Sequence, residues 1–204
     1  MGRSDSGPYS TGIHMNIFAL SMNPVEAAQL QCDKHAGGKM VTESAQMLCT
    51  SHRMLDGYGI PRILKSGKPS KRLSYTHPTM NEILYKSVHE YHPCTIWTNT
   101  SDSNYMWHYN HMIALCDEYT YRYGKVHKCD GLFREILSQP PKNIPNGPLT
   151  PHLLAMKTNP ECMFPDDPVK SYRLFYQTKQ ERFKMAWTKR PIPEWFTINR
   201  KEIT

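Results

Sequence analysis

The segment between Ser101 and Gly124 constrains the fold more than any other part of the chain. Apolar and aromatic residues recur in it at spacings of three and four, as on one face of a helix. Ser101 or Asp102 can cap its start, and Gly124 can end it in a left-handed conformation. The pattern predicts a long helix whose aromatic stripe packs in the core and binds no cofactor. The stripe comprises Tyr105, Tyr109, Met112, Ile113, Cys116, Tyr119 and Tyr123.

Helix signals recur along the rest of the chain. Asn23-Pro24 is a typical helix start, and Gly37-Gly38 allows a change of direction before a second helical pattern. Residues 15–20 indicate a short strand or extended segment, and the prolines of 139–151 indicate a long loop. Helix following helix, with one doubtful strand, predicts an all-α, single-domain fold over residues 15–204. The other predicted helices span about 24–34, 39–55, 79–90 and 166–187.

Residues 56–78 are the least regular part of the predicted domain. Glycines and prolines interrupt the segment and separate five basic residues. The pattern indicates a basic surface loop or hairpin. It fits a mobile insertion and a flap that contacts phosphates equally well. The basic residues are Arg62, Lys65, Lys68, Lys71 and Arg72.

The first fourteen residues differ in composition from the remainder. They are rich in Gly and Ser, lack periodicity, and end where the apolar run beginning at Met15 starts. We expect residues 1–14 to be a leader from an expression vector. The chain shows no secretory signal and no membrane-spanning apolar run, and its six cysteines contain no C-x-x-C pair. These features predict a cytoplasmic protein with reduced thiols, in the host cytoplasm if a phage encodes it.

The charge balance favours an anionic partner. The chain has 25 Lys and Arg against 18 Asp and Glu, giving a formal net charge of +7. Such a surface attracts polyanions by long-range electrostatics. DNA or a nucleotide is therefore the predicted partner, with no membrane association, although a merely solvated basic surface has the same composition.

The segment from Asp33 to Glu43 contains the most informative group of polar residues. Lys39 and Glu43 lie one helical turn apart, with Arg53 on the same predicted face and with Asp33 and His35 just before the glycine bend. A carboxylate can protonate a leaving group and an amine can attack a sugar carbon. The alternative is a solvent-facing Lys–Glu pair that contributes a few tenths of a kcal/mol. The adjacent glycines suggest a close approach of the backbone to a ligand.

Three further groups could bind nucleic acid. His92 precedes a proline and is held extended, and Trp97 could stack on a base or fill the core. The second group surrounds a helix C-terminus, where cations also complement the helix dipole. The third lies near the C-terminus of the chain, on a surface that contacts phosphate or only solvent. The second group contains Arg122, Lys125, His127 and Lys128, and the third contains Lys179, Arg182, Lys184, Lys189 and Arg190.

Motifs for metals and cofactors are incomplete. Cys32-x-x-His35 and His108-x-x-His111 have workable local spacing, but neither has a second half at finger-like spacing. The chain contains no glycine-rich phosphate loop and no nucleophile elbow. We therefore expect no metal and no cofactor.

Four short motifs together resemble the pyrimidine-dimer DNA glycosylase (endonuclease V-like) family and related uncharacterised phage and bacterial proteins. They are Asp33-x5-Lys39-x3-Glu43, His92-Pro93…Trp97, Arg122-Tyr123-Gly124 and Pro193-Glu194-Trp195. The resemblance implies an all-α fold, DNA binding, base excision through an imine at the sugar C1′, and strand scission. It places the essential carboxylate at Glu43. The best-known member uses the amine of a small N-terminal residue, so this chemistry requires Lys39 to supply the amine here.

Taken together, the sequence predicts a DNA-processing enzyme that excises or modifies bases in damaged or modified DNA. Glu43 would act as acid and base and Lys39 as the amine, with His35 and His92 assisting. One alternative is a non-catalytic phage protein that binds nucleic acid or sequesters a signalling nucleotide. Another is an interaction protein whose basic face contacts an acidic partner.

Overall fold

A computed structural model describes residues 16–198, and the prediction for residues 1–14 lies outside this range. Within it the protein is mainly helical, with a two-stranded antiparallel sheet. The mainly helical prediction is confirmed, and the hairpin corrects the all-α prediction. None of the helices in the described range is both long and apolar enough to cross a bilayer. The elements are α1 (Pro24–Gln29), α2 (Met40–Leu55), β1 (Tyr58–Ile63), β2 (Pro69–Thr76), α3 (Pro93–Thr98), α4 (Asp102–Tyr123), α5 (Lys128–Phe133) and α6 (Pro168–Gln177).

Helix α4 is the central element of the core, as its sequence predicted. The Ser101 hydroxyl accepts a hydrogen bond from the Asn104 amide, and Gly124 adopts φ 65° at the other end. The helix packs against α1, α2, α3 and α5. Of the predicted stripe, Tyr105, Met112 and Cys116 have no exposed surface, whereas Tyr123 at the end of the helix is exposed. Burial of this stripe fixes α1 and α2 relative to each other, which positions the bend between them.

Three predicted helices differ from the structure. The first, predicted over about 24–34, ends at Gln29. Residues 79–90 form turns and an irregular segment, and Arg53 binds the backbone carbonyls of Asn81, Leu84 and Tyr85 there. The last helix ends at Gln177 and continues only as a 3₁₀ turn, Thr178–Glu181. Tertiary hydrogen bonds therefore override local helical periodicity over residues 79–90.

The basic segment folds as an exposed hairpin. Strands β1 and β2 pair from Tyr58↔Thr76 to Ile63↔Pro69, with a register irregularity between Pro61 and Ile63. A Cβ on Gly57 would lie 1.9 Å from the Thr76 carbonyl oxygen, so only glycine fits where the chain leaves α2. The sequence predicted either a surface loop or a hairpin here, and the hairpin is confirmed.

A wide π-helical turn, His35–Lys39, connects to the start of α2. Gly38 has φ +111°, a conformation that side chains disfavour, and a Cβ there would lie 3.2 Å from His127 Nε2. A Cβ on Gly37 would lie 3.1 Å from the Tyr123 hydroxyl oxygen. The glycines thus allow close packing against α4 and the start of α5, rather than against a ligand. The π-helical turn places both His35 and Lys39 in the lining of one cavity.

Candidate functional site

A cavity of about 200 Å³ lies between the extended segment at Asn16, the π-helical turn and helix α6. Four cations line it, and no Asp or Glu stands among its lining residues. We call it the lysine cavity. Its lining comprises Asn16, Phe18, Lys34, His35, Lys39, Phe175, Lys179, Arg182 and Phe183. The charge and the phenylalanine rings suit an anionic ligand with a flat apolar part.

A second cavity of about 300 Å³ adjoins the first. The two share Phe175, Lys179 and Arg182, so these residues form the wall between them. The second cavity also contains Lys157 and His92, and Glu181 is its only lining carboxylate. We refer to the two together as the cationic cleft. The cleft has room for a nucleotide-sized ligand at two adjacent positions.

Glu43 lies one helical turn beyond Lys39, a residue that lines the lysine cavity. Lys39 Nζ lies 3.7 Å from Glu43 Oε1, and the two side chains are 46% and 7% exposed, respectively. Glu43 Oε2 is buried without a hydrogen-bond partner. Burial raises the pKa of Glu43, and the Lys39 ammonium and the Asn16 backbone offset part of this. A carboxyl group in this state holds a proton more readily than an exposed glutamate, as a general acid must.

His35 lines the lysine cavity as a neutral ring. Its Nδ1 lies 2.7 Å from the Tyr176 hydroxyl, and its ring packs 4.7 Å from that of Phe18. Burial, followed by the charges of Lys39, Lys179 and Lys34, lowers the pKa of His35 to about 3. The ring can therefore donate or accept a hydrogen bond at neutral pH without adding charge.

Two lysines rest on aromatic faces in the cleft. Lys179 Nζ lies 3.3 Å from the centroid of the Phe175 ring, and Lys34 Nζ lies 4.3 Å from that of Phe183. Cation–π contact of this kind holds an ammonium in place without a carboxylate. Burial, followed by the charge of Arg182 and also that of Lys39, lowers the pKa of Lys179 to about 8.

His92 reaches the cleft through the second cavity. Its Nδ1 accepts a hydrogen bond from the Cys94 amide and caps α3. In the neutral ring the proton then resides on Nε2. Using Nδ1 of His92 as a base would therefore cost the cap.

Several predicted ligand-binding residues instead hold the fold together. Arg53 is 3% exposed and donates to four carbonyl groups and a side-chain amide near the hairpin. The Arg122 side chain is fully buried, where it binds Glu118, Asp33 and the Gln31 carbonyl. Asp33 also accepts hydrogen bonds from the amide and hydroxyl groups of Thr188. These contacts account for Asp33, Arg53 and Arg122 as structural residues.

The remaining predicted binding residues lie away from the lining of the cleft. Trp97 is in the core, where its ring stacks on that of His152 at 4.1 Å. His127 caps α5 through Nδ1 and packs beneath Gly38. Lys125 and Lys184 are exposed and line neither cavity. Of the predicted set, His35, Lys39 and Arg182 therefore share one cavity, with Glu43 and His92 adjacent.

One group of side chains in the described range, His52, Asp56 and His77, brings metal-ligating atoms within 4.8 Å of one another. The hydrogen bonds around it set the positions of the protons. Tyr105 donates to a carbonyl and so accepts from His52 Nε2, while His77 Nδ1 accepts from the Met80 amide. His77 therefore carries its proton on Nε2, the atom that would face the metal. A metal-bound histidine needs the opposite arrangement, so this donor set does not fit one.

Sequence reasoning missed much of the cleft wall. Asn16, Lys34, Phe175 and Phe183 line the lysine cavity without any local motif that marks them. Lys179 stands in a basic cluster, but nothing in that cluster separates it from lysines that face solvent. The segments meet only because α6 folds back onto the π-helical turn, through contacts such as that between Tyr176 and His35.

Comparisons with models of protein families, with curated proteins and with solved structures found no match to this chain.

Proposed function

We propose that the protein is a DNA-processing enzyme that receives a nucleotide of damaged or modified DNA in the cationic cleft and excises its base. The observation that carries the proposal is the buried Glu43 carboxyl next to Lys39, which lines a cavity together with three other cations. Burial raises the pKa of Glu43, which favours its use as a general acid for a leaving base, and the cations supply charges for the phosphates.

The two cavities of the cleft suit the binding of a nucleotide for this reaction. A base turned out of the duplex would enter the lysine cavity, while Arg182 would bind the adjacent phosphate. Lys39 is half exposed and lies 3.7 Å from Glu43 Oε1, where it holds the carboxyl next to this cavity. The neutral His35 would add a hydrogen bond without changing the net charge.

The experiment uses duplex DNA that is UV-irradiated or contains an abasic site, incubated with the chain with and without residues 1–14. We expect strand cleavage and, on adding borohydride, a covalent protein–DNA adduct. The control variant Glu43→Gln should fold and bind the duplex but cleave at least a hundredfold more slowly. Absence of both adduct and cleavage with the unsubstituted protein would eliminate the proposal.

A second candidate is a non-catalytic nucleotide-binding protein. The sizes of the cavities favour it, because about 200 and 300 Å³ suit a single nucleotide better than a length of duplex. Calorimetry with mononucleotides and cyclic nucleotides tests this function. Binding in the micromolar range, unchanged in Glu43→Gln and with the nucleotide recovered intact, would favour it over the enzyme.

A further inference from the structure

Four lysines line the cleft: Lys34, Lys39, Lys157 and Lys179. They differ in their surroundings. Lys34 lines only the first cavity and Lys157 only the second, and both are exposed. Lys39 is engaged by the Glu43 carboxylate. Lys179 is the lysine that stands in the wall between the two cavities. A ligand that spans the cleft must therefore pass next to its amine.

The surroundings of Lys179 favour a nucleophile over a phosphate-binding charge. Within residues 16–198 no carboxylate forms an ion pair with it, and its amine lies on the Phe175 ring. The side chain is partly buried and belongs to the 3₁₀ turn, Thr178–Glu181, that follows α6. An amine reacts only when it is unprotonated, and an apolar, cationic neighbourhood favours that form.

We infer that Lys179, and not Lys39, is the catalytic amine that forms an imine with the target sugar. The inference rests on the proposed function and assigns its nucleophile. Lys39 then serves as a positioning residue that holds the Glu43 carboxyl. The pKa of Lys179, lowered to about 8, agrees with this assignment because a useful fraction of the amine is unprotonated near neutral pH.

The step balances as follows for a deoxyribonucleotide. The Lys179 nitrogen lone pair attacks C1′ as the bond from C1′ to the base breaks, and the base leaves with that electron pair and a proton from Glu43. The nitrogen then loses a proton, the sugar ring opens, and the ring oxygen takes up a proton as the C1′=N imine forms. Removal of a C2′ proton expels the 3′ phosphate and cleaves the strand. Water finally hydrolyses the imine and restores the amine.

The test traps the imine with borohydride on duplex DNA that contains an abasic site. The variants Lys179→Arg and Lys39→Arg keep the positive charge but cannot form an imine. We expect Lys179→Arg to lose the adduct more than a hundredfold and Lys39→Arg to lose less than tenfold. Peptide mass mapping should place the adduct of the unsubstituted protein on Lys179. Its rate of formation should rise with pH and level off above about 8.

Fluorescence anisotropy with the same duplex is the control for folding, and we expect both variants to bind DNA. An adduct that maps to Lys39, or to any other amine, would overturn the inference and leave the proposed function standing. No adduct and no cleavage with the unsubstituted protein would overturn the proposed function, and the inference with it.

Discussion

The Tyr176 hydroxyl lies 2.7 Å from His35 Nδ1 and also accepts a hydrogen bond from the Cys32 amide. This one hydroxyl joins α6 to the turn that precedes α2, although 141 residues separate the two rings in sequence. Both partners are buried. The contact holds the two sides of the lysine cavity together, so its removal should affect both stability and ligand binding.

Replacing Tyr176 by Phe should lower the free energy of unfolding by about 1–3 kcal/mol, because it leaves the buried Cys32 amide without a partner and leaves His35 Nδ1 with only the Cys32 thiol at 3.7 Å. Urea denaturation measures the change. Tyr121→Phe is the matched control, since its hydroxyl donates to Lys189 at the exposed surface. The control should change stability by less than about 0.5 kcal/mol. Equal effects of the two substitutions would contradict the role assigned to Tyr176.

Replacing Arg53 by Met should cost about 3–5 kcal/mol, because a buried hydrogen-bond network would lose its donor. The guanidinium binds the carbonyls of Tyr75, Asn81, Leu84 and Tyr85, which hold the 79–90 segment in turns. Thermal denaturation followed by circular dichroism measures the loss. Arg182→Met, at an exposed position in the cleft, should leave stability almost unchanged and weaken DNA binding. The opposite ranking of the two variants would refute the structural assignment of Arg53.

Replacing Gly38 by Ala should destabilise the protein by more than about 1 kcal/mol. Its φ of +111° strains any side chain, and the new methyl group would press on His127. Gly131→Ala provides the control, because it lies in α5 with nothing within 4 Å of the new Cβ. That substitution should stabilise by about 0.5–1 kcal/mol through helix propensity. Chemical denaturation of both variants should therefore give shifts of opposite sign.

Buried histidines should make the protein sensitive to acid. Burial is the largest cause that lowers the pKa of His35, His111 and His152, each to about 3 from the ordinary value of 6.5. Between about pH 3 and pH 6.5 these histidines bind protons in the unfolded chain but not in the folded chain. Their contribution to stability is complete above about pH 6.5 and is lost as the pH falls toward 3.

Each of these histidines should contribute up to about 1.4 kcal/mol per pH unit to that loss. Urea denaturation at pH 7, 6 and 5 measures the slope. His152→Phe keeps a ring between Trp97 and Trp107 but removes the titrating group. The variant should show a slope smaller by about one proton. An unchanged slope would show that His152 is not excluded from protonation in the folded state.

Local sequence determined the elements whose signals are complete within one stretch of chain. Helix α4 begins and ends where Ser101 and Gly124 indicated, since a capping hydroxyl and a left-handed glycine act within one turn. The pairing of Lys39 with Glu43 also followed from helical spacing alone. The same local reasoning failed at residues 79–90, because Arg53, from another helix, takes the carbonyls that a helix would use.

Only the tertiary structure decided which charged residues share a cavity. Arg122 and Lys179 both belong to basic clusters of the sequence, yet one is buried in a network with Glu118 and Asp33 and the other lines the cleft. The difference arises from long-range packing: the contact of α4 with α1 and the segment after it buries Arg122 beside carboxylates, whereas the fold of α6 onto the turn before α2 leaves Lys179 facing a cavity. Sequence composition sets how many charges the chain carries, but long-range packing sets which of them remain available to a ligand.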